Sequence, residues 1–199
     1  MYLSKVVVGW RWAKDPYQLH RALWQLFPDR PQDQRDFLFR VEGSEASQGM
    51  NVLLQSTYSP QQAKVAQVLA TKVLKPVLLQ GLTYHFRLRA NPVKTIKDEQ
   101  GRLNARGEIK TCRVPLLGEE ECMKWLARKL VPAAQLQSAR MVKEPVLLFQ
   151  KKGVDGKIQT VCFEGVLVVN DAEALASLIH SGIGPAKSMG CGLLSLART

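Results

Sequence analysis

Thr83-Tyr84-His85-Phe86-Arg87-Leu88-Arg89-Ala90 alternates two kinds of side chain, Tyr84, Phe86 and Leu88 on one face of an extended chain and His85, Arg87 and Arg89 on the other. A period of two reads as a strand with one face turned to a core. Toward the N-terminus, the chain opens on a similar segment: residues 3–10 are β-branched and aromatic and run into a turn before Asp15-Pro16. Asp15 offers a capping carboxylate, Pro16 suits the first helical position, and Leu19, Leu23, Leu26 and Phe27 recur at helical spacing up to Pro28. That predicts a helix of about three turns. Phe37, Phe39 and Val41 alternate, as do Val52 and Leu54 beyond a polar, Gly-containing connection at 42–49, predicting a hairpin. Ser59-Pro60 repeats the cap-then-proline signal. Val65, Val68, Leu69 and Lys72 then fall at amphipathic-helix spacing, and residues 76–79 read as a strand. The order is βαββαβ, and the strand at Thr83 restarts it.

Toward the C-terminus come a basic stretch, a helix at 119–130, strands at 146–150 and 158–169, a helix capped by Asp171 and running through Ile179, and a last strand at 193–196. The expected architecture is α+β, two tandem ferredoxin-like βαββαβ domains over residues 1–80 and 82–199, joined near Gly81.

The 199 residues hold 28 Lys and Arg against 17 Asp and Glu, a net charge of +11, with 46% apolar and 7% aromatic residues. Such a chain can build a core. Its charge points to a polyanionic partner, because cations that neutralise phosphates gain affinity from released counterions. Nucleic acid leads and an anionic membrane trails. The longest apolar runs fall far short of the roughly 20 residues that span a bilayer, and the start MYLSKVVVGWRW lacks a secretory pattern, so the expected location is the cytoplasm. Cys112, Cys122, Cys162 and Cys191 form no CxxC pair and have no His at zinc spacing, and are read as reduced, buried small hydrophobes. Neither a metal nor a cofactor is expected.

Residues 87–113 carry eight cations, Arg87, Arg89, Lys94, Lys97, Arg102, Arg106, Lys110 and Arg113, against three acids. Gly101 and Gly107 bracket a turn, so an arm or hairpin presenting these charges to a phosphate backbone stands against a merely solvated loop, and the global charge favours the arm. In the stretch 182–192, Gly182, Gly184, Gly190 and Gly192 surround Lys187 and Ser188. A Walker A loop needs glycine before its Lys-Ser, and Ala186 stands there, which disfavours nucleotide hydrolysis. A glycine-rich turn touching an RNA backbone or the neighbouring domain fits better. His20 lies three residues beyond Tyr17 and one before Arg21, off the leucine stripe of the first helix. In a basic protein, Tyr-His-Arg is a workable set for acid/base chemistry on a phosphodiester. His85 and His180 read as structural.

Five stretches in order, Tyr17-Gln-Leu-His20-Arg21-Ala-Leu-Trp24, Phe37-Leu-Phe39-Arg40, Arg87-Leu-Arg89-Ala-Asn91-Pro92, Lys157-Ile-Gln-Thr-Val-Cys-Phe-Glu-Gly165 and Gly182-Ile-Gly-Pro-Ala-Lys187-Ser188-Met-Gly190-Cys-Gly192, resemble the CasE family of CRISPR-associated endoribonucleases. The resemblance runs over essentially the whole chain. It implies tandem ferredoxin-like, RRM-related domains and metal-independent cleavage of the CRISPR repeat stem-loop in the precursor transcript. It also implies retention of the crRNA hairpin and assembly with the other Cascade subunits. By the same resemblance the catalytic histidine is His20, its partner tyrosine Tyr17, and a phosphate-contacting arginine Arg21. Gln25 replaces a lysine that some members carry. The RNP aromatic signature of RNA-recognition sheets is not visible. RNA would be held by the arm and by Lys187, Ser188, Gly190 and Gly192 of the turn. Two other readings compete: a non-catalytic RNA-binding scaffold, and a small-molecule enzyme on the same fold.

Overall fold

Val6-Val7-Val8 stiffens the first strand into an extended chain, and its even-numbered members turn inward while Lys5 turns out. The computed structural model describes residues 1–28, 36–45, 49–151 and 153–199. In the N-terminal half, β1 (Tyr2–Val8) leads through a short helix α1 (Trp10–Ala13) to α2 (Pro16–Trp24), then β2 (Phe37–Glu45), β3 (Gly49–Ser56) and β4 (Ala66–Val73). The strands form an antiparallel sheet in the order β2-β3-β1-β4, the ferredoxin-like order. Val6, Val8, Phe37, Phe39, Val52 and Leu54 bury one sheet face under Leu19, Ala22 and Leu23 of α2 and Leu26 just beyond it. The middle of the predicted connection at 42–49 lies outside the described residues.

The helix expected at 65–72 is instead the edge strand β4, and residues 76–79 join no sheet. Val68, Thr71 and Val73 are β-branched and pair with β1, whose free edge needs a partner. Because β4 is exposed over most of its length, its apolar residues need not alternate strictly, and the spacing of Val68, Leu69 and Lys72 mimics a helical stripe.

The C-terminal half runs β5 (Thr83–Ala90), β6 (Val93–Lys97), β7 (Thr111–Pro115), α3 (Glu119–Leu130), β8 (Ala134–Lys143), β9 (Leu147–Lys151), β10 (Val154–Ile158), β11 (Val161–Val169), α4 (Ala172–Ser181), a 3₁₀ turn (Lys187–Met189) and β12 (Leu194–Arg198). Its sheet, β12-β5-β11-β8, repeats the ferredoxin-like order. Trp125, Leu126, Leu130, Leu175 and Ile179 cover Tyr84, Phe86, Leu88, Phe163 and Leu167. The strand expected at 146–150 is β9, which among the described residues pairs with β10 in a hairpin outside the sheet, and the strand expected at 158–169 is β11, beginning at Val161, with Ile158 left as the end of β10. The sheet position falls to β8, a strand with no counterpart in the sequence pattern.

The outer face of the first sheet packs on the second half. Leu38, Arg40 and Gln55 are only 3%, 4% and 3% exposed. Gln55 Nε2 donates to the Ile179 carbonyl at 2.7 Å, and Arg40 Nη1 donates to the carbonyls of Arg87 at 3.2 Å and Leu193 at 3.4 Å. The rest of the Arg40 guanidinium is held by Glu42 at 2.7 Å, which offsets the cost of burying the charge. Among the described residues no helix is long and apolar enough to cross a membrane. Three cysteines are buried as expected, whereas Cys112 is exposed on β7, because both faces of that hairpin meet solvent.

Candidate active site and nucleic-acid interface

Asp15 caps α2, its Oδ1 accepting from the amides of Tyr17 at 2.7 Å and Gln18 at 2.9 Å, with Pro16 at the first helical position. This start point places Tyr17, His20, Arg21 and Trp24 at i, i+3, i+4 and i+7, on the face turned away from the core leucines. Arg21 is exposed, while Tyr17 and His20 are half-buried. The His20 ring lies 5.5 Å from Phe37 and 6.3 Å from Phe39, nearly parallel to the latter, with Trp24 edge-on at 6.3 Å. Aromatic walls on two sides fix the plane of the imidazole.

The glycine-rich turn closes over the same place. Both α2 and β2 touch the 3₁₀ turn, and α2 also touches β9. Gly190, at φ +83°, lies so near Phe39 that an added Cβ would stand 3.1 Å from Cε2 of that ring and 3.7 Å from Arg89 Nη1. Gly192, at φ +94°, donates its amide to the Arg89 carbonyl at 2.8 Å. Both positions require a left-handed backbone and a close approach, which glycine alone meets without strain. Gly190 and Gly192 are buried, whereas Lys187 and Ser188 are partly open, Lys187 Nζ donating back to the Ser181 carbonyl.

The cations of residues 87–113 separate into two groups. Arg102, Arg106, Lys110 and Arg113, with Lys94 and Lys97, are exposed on the β6-β7 arm and its tip, where Arg102 is held by Asp98 at 2.7 Å and Lys94 approaches Glu121 at 3.6 Å. The Arg102 hydrogen bond holds the Asp98 carboxyl below its ordinary value. Arg87 and Arg89 belong instead to the outer face of the second sheet. Arg87 pairs with Glu42 at 2.9 Å and Glu164 at 3.2 Å, and its pKa is raised by the Cys162 thiol first and then by these carboxylates. Arg89, 11% exposed, is bound by Glu144, which also accepts from Thr160 Oγ1 at 2.7 Å. Sequence reasoning misses Glu42, Glu144 and Glu164, because no local pattern ties them to cations 45, 55 and 77 residues away. The buried Cys191 beneath the turn has its thiol pushed up to about 12 by burial, an inert state. Among the described residues no group of three or more His, Cys, Asp and Glu is arranged to hold a metal ion.

Two ferredoxin-like sheets carry a cationic arm and a capped helix that bears His20 and touches the glycine-rich turn. A family model described as CRISPR associated protein matches residues 1–198. The chain is 55% identical over 197 residues to the CRISPR system Cascade subunit CasE of Escherichia coli K12, covering 99% of each chain. It superimposes on the crystal structure of the E. coli K-12 CRISPR-associated protein Cas6e with a TM-score of 0.87 at 53% identity, over 100% of both chains. It also superimposes on the CRISPR endoribonuclease Cse3 bound to a 19 nt RNA, with a TM-score of 0.79 at 31% identity over 99% of this chain and 100% of the other. The chain belongs to this family of CRISPR-associated proteins.

Proposed function

We propose that the protein is the crRNA-processing endoribonuclease of a Cascade complex in the cytoplasm, cutting the repeat stem-loop and keeping the product hairpin. Membership of a family that includes a Cascade subunit and an RNA-bound endoribonuclease supports this. The observation that carries it to a site is His20, framed by Phe37, Phe39 and Trp24 on α2, the helix that touches the glycine-rich turn. We take residues 1–80 as the unit bearing the catalytic helix and 82–199 as the unit bearing the arm and turn.

RNA supplies its own nucleophile. The 2′-oxygen attacks the scissile phosphorus as the bond to the 5′-oxygen breaks, leaving a 2′,3′-cyclic phosphate and a 5′-hydroxyl, so the chemistry balances without a metal. His20 moves the proton at one of these two oxygens, a transfer that contributes about 10²- to 10⁴-fold. Tyr17 orients the imidazole or the 2′-hydroxyl, and Arg21 neutralises charge growing on the phosphorane. Arg102, Arg106, Lys110 and Lys94 of the arm, with Lys187 and Ser188, contact phosphates of the A-form stem, and Arg113 at the foot of the arm contacts an RNA phosphate beside it. Arg87 and Arg89, already engaged by carboxylates, brace the sheet face, and Gly190 and Gly192 permit the close approach of the turn.

The test is single-turnover cleavage of repeat hairpin RNA in EDTA. The wild type should cut it, and His20→Ala should lose cleavage while binding within a few-fold. A mutant that cuts at the wild-type rate removes His20 from the chemistry; a wild type that binds without cutting leaves a scaffold protein.

A further inference from the structure

A concavity lies where the foot of the arm, the β9-β10 hairpin and the 3₁₀ turn meet, three segments far apart in sequence. Its volume is about 280 Å³. That exceeds the roughly 30 Å³ share of one water and falls just short of the roughly 300–1,000 Å³ of clefts that take drug-sized ligands. Pro115, Ile158, Pro185 and Met189 give it apolar walls. Arg113 and Lys157 stand exposed on its lining, and among the described residues neither has an ion-pair partner. Asn91 also lines it, and the buried Oδ1 of its amide accepts no hydrogen bond. A buried acceptor without a donor is costly to leave unmet, and a rotation of the Asn91 side chain toward the cleft would let a ligand's donor meet it.

Flat apolar walls, a side-chain amide and two unpaired cations together match a nucleobase with its phosphate. Unpaired bases of RNA are splayed out and read on their edges. A side-chain amide reads a base best when it accepts from an exocyclic amino group while donating to a ring nitrogen, which adenine offers and uracil does not. We infer that this cleft binds one unpaired, amino-bearing nucleotide flanking the stem, its base among the prolines and Met189 with Asn91 on its edge, and its phosphate at Arg113 and Lys157. This rests on the endoribonuclease reading and deepens it: the 3₁₀ turn that walls the cleft also touches α2, so a nucleotide held here sets the register of the strand at His20.

The experiment is a binding cycle with the full chain and repeat hairpin RNAs in which each unpaired nucleotide beside the stem is made abasic, or changed to uridine, one at a time. For the wild type one position should weaken binding on the order of tenfold when abasic, the size expected for losing a held base, and by less when changed to uridine. In Asn91→Leu the uridine penalty at that position should vanish. Lys157→Ala, at an exposed position, should shrink the abasic penalty and keeps the test open if Asn91→Leu does not fold. If every abasic penalty is the same in the wild type and both variants while the wild type still binds and cuts the hairpin, the cleft holds no base. Failure of the wild type to bind the hairpin would instead overturn the endoribonuclease reading, and the cleft with it.

Discussion

His20 and Tyr17 share one face of a capped helix, and the roles proposed for them differ in kind. His20 moves a proton, whereas the Tyr17 hydroxyl supplies one hydrogen bond, whose net worth is about 0.5–1.5 kcal/mol. Tyr17→Phe should therefore slow single-turnover cleavage by roughly three- to tenfold, as about 1.4 kcal/mol is a factor of ten, against the near-complete loss in His20→Ala. Equal losses would move the phenol into proton transfer. Glu164 presents a separate test at the same scale. The Arg140 hydrogen bond foremost, then the charges of Arg140, Arg87 and Arg40, hold its carboxyl below the ordinary 4.5. A depressed folded value contributes stability above 4.5 that disappears as pH falls through the folded value. Glu164→Gln should accordingly melt lower than the wild type near neutrality, and the gap should close on acidification; a gap independent of pH would mean that packing, not charge, sets it.

At the scale of elements, the arm is the segment whose removal from the energetics should cost least in fold and most in binding. Among the described residues β6 and β7 pair only with each other, and Arg102, Arg106 and Lys110 are exposed. Neutralising all three should leave the melting temperature nearly unchanged. It should also flatten the slope of log K against log salt by about 0.7–0.9 for each phosphate that these cations no longer neutralise. An unchanged slope would make the arm a solvated hairpin.

For the whole molecule, the glycine-rich turn joins the two halves as well as the site. Gly190→Val places a β-branched side chain at φ +83° against Phe39 and should lower the melting temperature, by about 2–4 °C for each kcal/mol of stability removed in a chain of this size. Lys187→Ala removes a cation from a partly open position and should weaken hairpin binding with little change in melting. If binding by Lys187→Ala is unaffected, the turn serves packing alone.

The sequence by itself determined the class of fold, the capped helix with His20 off its leucine stripe, the cationic arm and the glycine-rich turn. Each rests on a local signal: a period of two or 3.6, a cap before a proline, a charge run, glycines at close spacing. Tertiary structure decided the rest. β4 became a strand because β1 offered an edge, a demand invisible in an amphipathic pattern read alone. β8 is hard to see in the sequence because Gln135, Gln137, Ser138 and Arg140 face solvent and Ala134 and Ala139 are small, so its alternation is faint until β11 pairs with it. Arg87 and Arg89 left the cationic arm for Glu42, Glu164 and Glu144, partners chosen by sheet packing across long stretches of chain. Local spacing places side chains on a face, but which faces meet depends on burying both sheets at once, and only the folded chain satisfies that condition.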